Sequence, residues 1–275
     1  MKKFYIILNR IKKQVALAKI GIMDAVHFRL AMFVMIFSNF LYFIVVYFLW
    51  KAIYASSETN NVNGMTFSDT LIYLVLAASL SGIMEMYTVW EIGRNIQTGK
   101  IILDLLKPIN YRDYLFGYLF GRMIVQFLVT FVPTFVIVYI TTDSAISVSV
   151  NLIFFLVSII FSVALNYSID FIAGTVCLYT ESMWGINIMK QVVVSLLSGA
   201  TIPLVFFPEY IRKYILALPF ASICNTPIQI LMSRSLSVSF LIKSIGVQGM
   251  WCFILMICGN VFWSISIRKI TINGG

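Results

Sequence analysis

Two acidic residues, Glu85 and Asp170, lie within long apolar stretches of the sequence. Placing a carboxylate in hydrocarbon costs about 3 kcal/mol, so such a group is expected to face the interior of a helix bundle. There it could bind a cation, relay a proton or simply hold helices together. Glu85 lies near the end of its stretch, where water can reach it, and no Asn-Pro type of helix break accompanies either acid. These features favour a structural role over ion coupling.

Several kinds of catalytic chemistry lack their residues. His27 is the only histidine, which excludes a histidine-based metal cluster, an HExxH motif and a Ser-His-Asp triad. No GxxxxGK[ST] motif is present, so the chain does not hydrolyse ATP through a P-loop. The four cysteines form no CxxC pair and are interpreted as packing residues: Cys177, Cys224, Cys252 and Cys258. We therefore predict that the chain is not an enzyme and holds no cofactor or metal of its own.

Composition places these residues in a membrane protein. The chain is 60% hydrophobic and 11% charged, whereas soluble domains average about 25% charged residues. Its net charge of +9 comes from basic residues that flank apolar stretches, which argues against nucleic-acid binding. We predict an all-α integral membrane fold, with one domain over residues 1–275. Its six apolar stretches are long enough to span about 30 Å of hydrocarbon: 29–54, 67–90, 115–140, 148–179, 184–207 and 241–267, with a tight turn near Thr141–Ser144.

The first 28 residues predict an amphipathic helix. Phe4, Leu8, Ile11, Val15 and Ile22 share one face of a helical wheel, with basic residues on the far side. A helix of this kind lies in the membrane surface on the cytoplasmic side. The alternative is an amphipathic helix docked on protein, and the interfacial interpretation is favoured.

The distribution of Lys and Arg predicts the orientation. Basic residues are concentrated in the N-terminal segment, in the segment between the second and third spans, and in the C-terminal tail. Both termini are therefore expected to be cytoplasmic, with an even number of spans.

The segment 91–114 between the second and third spans joins charge to a dense apolar patch. Ile101, Ile102, Leu103, Leu105 and Leu106 are costly to leave in water and need lipid or a partner protein to cover them. Gly99 permits a sharp turn before the patch, and Pro108 stops a helix after it, with Asp104 and Lys107 between. From these residues alone, a helix that docks a cytoplasmic motor and a surface helix that closes the bundle are equally supported.

Four of the six prolines fall between Ser198 and Pro227. Pro203 removes a backbone hydrogen bond near the outer end of the fifth span, and an amphipathic stretch lies between Pro208 and Pro219. Irregular backbone at this depth must be covered by protein or line a cavity. We predict an external re-entrant or gate segment over 208–240, with a broken connector as the alternative.

Two stretches resemble a known family. Gly99-Lys-Ile-Ile-Leu-Asp-Leu-Leu-Lys-Pro-Ile-Asn resembles a segment of the bacterial ABC-2 permeases, the membrane subunits of type-2 ABC exporters. Ser198-Gly-Ala-Thr-Ile-Pro-Leu-Val-Phe-Phe-Pro, followed by Leu218-Pro-Phe, resembles their segment before the last span. The order and spacing of both stretches match along nearly the whole chain.

The resemblance implies the architecture of a type V ABC exporter and a set of partners. Two permeases pair as a homodimer or a heterodimer and bind two copies of a separate ATP-binding subunit, which carries the ATP and Mg²⁺. The region from Gly99 to Pro108 then acts as a coupling helix. The outer gate includes Gly199, Pro203, Phe206, Phe207, Pro208 and Pro219.

The predicted function is export of an amphipathic or lipid-like substrate, such as a lipid, a drug or an antimicrobial peptide, across the cell membrane. Apolar, aromatic spans with few charges suit such a cargo better than an ion or a sugar. Two alternatives stay open. One is a secondary carrier that couples to protons through Glu85 or Asp170, and the other is a non-transporting immunity or scaffold protein.

Overall fold

The computed structural model describes residues 2–57, 61–85, 87–141, 150–180, 182–233 and 237–269. These residues are nearly all helical. Their only strands are β1 (Asn61–Val62) and β2 (Met65–Thr66), which pair in an antiparallel hairpin. Asn63 and Gly64, between the strands, both have positive φ, which matches the Asn-Gly preference of tight hairpin turns.

Twelve α-helices account for most of the described chain. In order they are α1 (Lys2–His27), α2 (Arg29–Ser56), α3 (Phe67–Met84), α4 (Thr88–Gln97), α5 (Lys100–Leu105), α6 (Tyr111–Gln126), α7 (Val132–Thr141), α8 (Val150–Val176), α9 (Met183–Leu197), α10 (Glu209–Ala217), α11 (Asn225–Met232) and α12 (Val238–Ser266). A π-helix over Phe127–Phe131 joins α6 to α7. Short 3-10 helices lie at Leu204–Phe206, Pro219–Ser222 and Ile267–Lys269.

The predicted all-α membrane fold is confirmed, and the number of spans is not. Among the described residues, five helical stretches are long and apolar enough to cross a membrane: Met32–Ser56, Phe67–Gln97, Tyr111–Thr141, Asn151–Val176 and Val238–Ser266. The apolar helix α9 has 15 residues, or about 22 Å, which is shorter than the hydrocarbon layer. The count of six spans therefore stays a prediction.

Two predicted spans end earlier in the structure than in the sequence interpretation. α9 stops at Leu197 and not at residue 207, because Gly199 has a φ of +79° and Pro203 follows. α3 stops at Met84, and Tyr87 is left-handed (φ 54°) before α4 begins. Glu85 lies at this break, although the sequence there holds no Asn-Pro pair of the kind considered above. The predicted turn near 141–144 and the start of the fourth predicted span fall mostly outside the described residues.

Helix α1 packs along α6 through small residues. A Cβ on Gly121 would overlap the carbonyl oxygen of Ala18, so the two backbones approach too closely for any larger residue. Asp24 of α1 accepts a hydrogen bond from the Tyr118 hydroxyl of α6 at 2.8 Å. Ile11, on the predicted apolar face, is 55% exposed. The helix therefore docks on α6 with one face, while Ile11 and Val15 of the predicted apolar face are exposed in the described chain.

The core of the bundle centres on α8, which packs along α12 and also against α4, α9 and α11. Phe155 and Phe171 of α8 are almost fully buried. Phe131, from the π-helix, stacks on Phe155 with ring centroids 5.6 Å apart. Because α8 contacts α4 as well as α11, it helps to position both the predicted coupling segment and the predicted gate segment.

Candidate functional site

The predicted coupling residues occupy both faces of the short helix α5. Gly99 begins the helix with a φ of +69°, a conformation that glycine adopts without strain. Ile101 and Asp104 are buried, with exposures of 2% each. On the opposite face Leu103 is 66% and Leu106 is 77% exposed, and Ile102 and Leu105 are exposed beside them. The described chain therefore leaves an apolar surface on α5, formed by Ile102, Leu103, Leu105 and Leu106, without a cover.

Asp104 fixes the inner face of α5. Its Oδ2 accepts a hydrogen bond from Asn95 Nδ2 of α4 at 3.1 Å, and its Oδ1 lies 2.6 Å from Lys107 Nζ. The Lys107 ammonium also lies over the ring of Tyr114, 4.0 Å from its centroid. Burial lowers the pKa of Lys107, but its hydrogen bonds to Asp104 and Tyr114 outweigh that effect and raise the pKa above its ordinary value. The ion pair between Asp104 and Lys107 thus holds α5 in place beneath its exposed apolar surface.

Further contacts join this region to α1, α4 and α12. The rings of Tyr111 and Trp263 stack with centroids 5.1 Å apart. The Asn95 amide also reaches the Tyr111 hydroxyl, at 3.4 Å. Pro108 is exposed, and its carbonyl oxygen accepts a hydrogen bond from Lys13 Nζ of α1 at 3.5 Å. A movement of α5 would therefore act on α1, α4 and α12 at the same time.

Arg112, which the sequence interpretation did not single out, is the main polar link into the core. Its side chain is 5% exposed and carries a charge, so its donors must be satisfied inside the protein. They reach only neutral acceptors on α8 and α12: Met256 O and Asn260 Oδ1 at 2.8 Å and Ser168 Oγ at 3.0 Å. The guanidinium also lies near two aromatic faces of α8, those of Tyr167 and Phe171. One residue thereby ties the start of α6 to both helices.

Asp170 forms an ion pair inside the bundle. Its carboxylate is fully buried, and its Oδ1 lies 2.9 Å from Lys190 Nζ of α9, whose side chain is 11% exposed. Asn166, one turn earlier on α8, lies 3.4 Å from Asp170 Oδ2 and donates to the Met84 carbonyl oxygen at 2.5 Å. Lys190 was missed at the sequence level, although a lysine inside an apolar helix is itself a signal that a buried acid lies nearby. The pair supports the structural role predicted for Asp170.

Glu85 borders a cavity of about 300 Å³ beside this ion pair. The cavity is lined by polar groups of α3, α8 and α9, including Ser81, Asn166, Lys190 and Gln191. Gln191 Nε2 donates to Glu85 Oε1 at 3.4 Å. The two predicted acids therefore lie in the same polar region of the bundle but differ in surroundings, since Asp170 is paired and buried and Glu85 faces a cavity.

The predicted gate residues lie at the end of the bundle opposite α5. Gly199 turns the chain after α9, and a Cβ there would meet the Tyr73 hydroxyl at 2.7 Å. Pro203 and Pro219 are buried, whereas Pro208 is exposed. Phe206 packs on Trp50 of α2 with ring centroids 4.9 Å apart, and Phe207 is partly buried. The structure thus places most of these residues against the bundle rather than free above it.

Side chains of three helices hold the stretch 198–233. Gln248 of α12 is fully buried and donates to the Ser222 carbonyl oxygen at 2.8 Å. Ser162 of α8 donates to the same oxygen at 3.0 Å. Tyr73 of α3 donates to Asn225 Oδ1 at 3.3 Å. The Ser222 carbonyl and the Asn225 side chain are therefore fixed by groups that the sequence interpretation did not include.

This geometry is that of a membrane-embedded helix bundle. Within the described residues, no three His, Cys, Asp or Glu side chains form a group that could hold a metal ion. What the structure brings together is a set of membrane-length helices, a polar cavity between them and an uncovered apolar helix at one end. These features define a multi-pass membrane protein with a surface suited to docking.

Comparison with known families gives the identity of the class. Residues 40–274 match the family described as ABC-2 family transporter protein. The chain therefore belongs to the ABC-2 family and is the membrane permease subunit of an ABC transporter. This family is a membrane transport component that is not itself catalytic, and membership implies partnership with an ATP-binding subunit. No curated protein matches the sequence closely enough to serve as a relative.

Proposed function

We propose that this permease exports an amphipathic or lipid-like substrate, of the kind represented by lipids, drugs and antimicrobial peptides, and that ATP hydrolysis in its partner drives the export. The uncovered apolar face of α5 carries the proposal. Leu103 and Leu106 are among the most exposed leucines of the described chain, although they lie on a helix whose other face is firmly anchored. An anchored helix with a free apolar face is suited to receive force from a partner.

The proposed assembly contains two permease chains and two ATP-binding subunits, with ATP and Mg²⁺ bound in the latter. The permease pair is a homodimer or a heterodimer in the cell membrane, with both termini in the cytoplasm and lipid against α1 and the spans. Closure of the ATP-binding subunits pushes α5. Asp104, Tyr111 and Arg112 then pass the displacement to α4, α12 and α8, because each of these residues contacts at least one of those helices.

The outer gate is proposed for the stretch from Gly199 to Pro219. Its support is geometric: α9 stops short of the full membrane thickness, and the chain then crosses back over the bundle in short helices. Gln248 and Ser162 hold the carbonyl group of Ser222, three residues after this stretch, and therefore fix the point at which it rejoins the bundle.

The experiment is a mild-detergent pull-down of the tagged chain from its native membrane, followed by identification of the copurifying proteins and an assay of ATP hydrolysis. We expect a stoichiometric P-loop ATPase that hydrolyses ATP. A chain that emerges alone and without hydrolysis would overturn the proposal and favour a proton-coupled carrier or a scaffold.

Leu106→Asp tests the docking surface in the same experiment. The side chain is 77% exposed, so the substitution should leave folding intact while it places a charge where the partner must bury an apolar group. We expect loss of the ATPase from the pull-down. Leu216→Asp, on the exposed face of α10, is the matched control and should retain it. Normal copurification with Leu106→Asp would exclude α5 as the docking helix.

A further inference from the structure

Two adjoining cavities line the groove between α2 and α3, and they differ in chemistry. The first is the polar cavity of about 300 Å³ beside Glu85. The second, of about 620 Å³, is lined mainly by apolar side chains, among them Phe40, Phe43 and Leu71. Asn39 of α2 lines both cavities. The groove therefore changes from apolar to polar along α3, which is the profile of a site for an amphipathic molecule.

The charges around the polar cavity favour a positive group. Lys190 lines it, but its ammonium is paired with the buried Asp170 at 2.9 Å, so that positive charge is compensated. Glu85 receives a single weak hydrogen bond from Gln191. Among the described residues, no ion pair within 4.0 Å involves the Glu85 carboxylate. Glu85 is thus the one carboxylate of the cavity wall whose charge has no adjacent counterion in the described chain.

The backbone at the end of α3 and the ring of Tyr42 also favour a positively charged ligand in the polar cavity. α3 ends at Met84, and the carbonyl groups at the end of a helix carry partial negative charge. Asn166 satisfies the carbonyl of Met84 but brings no net charge. Tyr42 of α2 lines the cavity with a ring of the type that binds ammonium and guanidinium groups. An unwound membrane helix next to a carboxylate is a setting in which proteins bind cations.

We propose that this groove binds an amphipathic cation, with its alkyl part in the apolar cavity and its ammonium or guanidinium group beside Glu85. The inference rests on the proposed export function and names the substrate class of the same permease. An anionic amphiphile is disfavoured at this site, because it would face Glu85 without an uncompensated positive group to bind.

The test uses the complete transporter with its ATP-binding subunits, reconstituted in nanodiscs of zwitterionic lipid. The probes are dodecyltrimethylammonium, dodecyl maltoside and dodecyl sulfate, which share one alkyl chain, each kept below its micelle concentration. We measure the concentration of each probe that half-maximally stimulates ATP hydrolysis. The cation is expected to act at a concentration about tenfold lower than the neutral probe. The anion is expected not to stimulate.

Three variants locate the effect. Glu85→Gln should weaken the response to the cation about tenfold and leave the response to the maltoside within about twofold. Glu85→Asp keeps the charge and should retain the preference for the cation. Asp113→Asn removes a carboxylate from the exposed start of α6, which lines neither cavity, and is the matched control that should behave like the wild type.

The outcomes separate this inference from the proposed function. A wild-type transporter that hydrolyses ATP but responds equally to all three probes, or best to the sulfate, overturns the cation site and leaves the permease assignment in place. An unchanged response of Glu85→Gln to the cation also overturns it. If Glu85→Gln does not assemble, the ranking of probes in the wild type and in Glu85→Asp decides. Absence of any ATP hydrolysis in the wild type would instead count against the proposed function itself.

Discussion

Removing either charge of the ion pair between Asp170 and Lys190 should destabilise the permease strongly. Asp170 is fully buried and Lys190 is 11% exposed, so either residue alone would leave a nearly buried charge without a partner. Breaking a buried pair from one side costs about 3–5 kcal/mol, against about 0–1 kcal/mol for an exposed pair. We therefore expect Asp170→Asn and Lys190→Met each to lower the free energy of unfolding by about 3 kcal/mol.

The double variant should recover most of that loss. With both charges removed, Asn at 170 can still contact Asn166, and Met at 190 is close in size to Lys. Replacement of a whole buried pair by neutral groups is often nearly neutral, so the double change is expected to cost about 1 kcal/mol or less. The coupling free energy between the two positions should therefore be about 5 kcal/mol, which is large for a pair of residues.

The assay is unfolding of the purified chain in mild detergent by titration with a denaturing detergent, followed by circular dichroism, for all four members of the cycle. Asp113→Asn, at an exposed position near the start of α6, is the control and should change the stability by less than about 0.5 kcal/mol. Additive single effects, or single effects below about 1 kcal/mol, would show that the pair does not form and refute the reasoning.

Three further changes test other contacts. Gly121→Leu should lower the free energy of unfolding by about 2 kcal/mol, because the new side chain would meet the carbonyl of Ala18. Gly246→Leu is the control and should not lower it, because nothing lies within 4 Å of a Cβ at that position. Equal effects of the two changes would contradict the α1–α6 contact. Asp104→Ala should cost about 2 kcal/mol in the same unfolding assay, because it removes a buried acceptor of a charged hydrogen bond; no change would place the anchor elsewhere. Gln248→Leu should speed amide hydrogen exchange over 220–222 without loss of helix content, and unchanged exchange would remove it as the anchor.

Long apolar stretches made the membrane fold predictable from the sequence. Hydropathy over about 20 residues is a strong signal, because every backbone group in lipid must be satisfied within a helix. α2, α8 and α12 accordingly run through predicted spans. The stop of α9 was less predictable, since Gly199 is tolerated in many membrane helices, and the positive φ that helps to end this one does not follow from its residue type.

The candidate site was predicted in position but not in detail. The apolar and charged residues of 99–108 indicated a short docking helix, yet a six-residue helix has two faces, and sequence alone does not tell which face packs. Asp104, one of the predicted coupling residues, is buried on the inner face of α5. Its burial depends on Asn95 of a different helix, and no local pattern reports such a contact.

The two intramembrane acids were also identified from the sequence without their surroundings. Glu85 and Asp170 were recognised because a carboxylate in an apolar run is rare. Their different roles depend on Lys190 and on the helix break after Met84, neither of which follows from residue spacing. At the break, Asn166, 82 positions away along the chain, donates a hydrogen bond to the buried carbonyl oxygen of Met84.

One helix pair joins the two proposed functional ends. Arg112 of α6 donates a hydrogen bond to the carbonyl oxygen of Met256 on α12. Gln248, also on α12, donates to the carbonyl oxygen of Ser222 on the side of the proposed gate. These positions on α12 lie eight residues apart, or about 12 Å along a helix. On α8, Ser168 and Ser162 repeat the arrangement, since one binds Arg112 and the other binds the carbonyl of Ser222. Because α8 and α12 pack along each other, we propose that a displacement entering at Arg112 is carried by this helix pair to Ser222, next to the proposed gate.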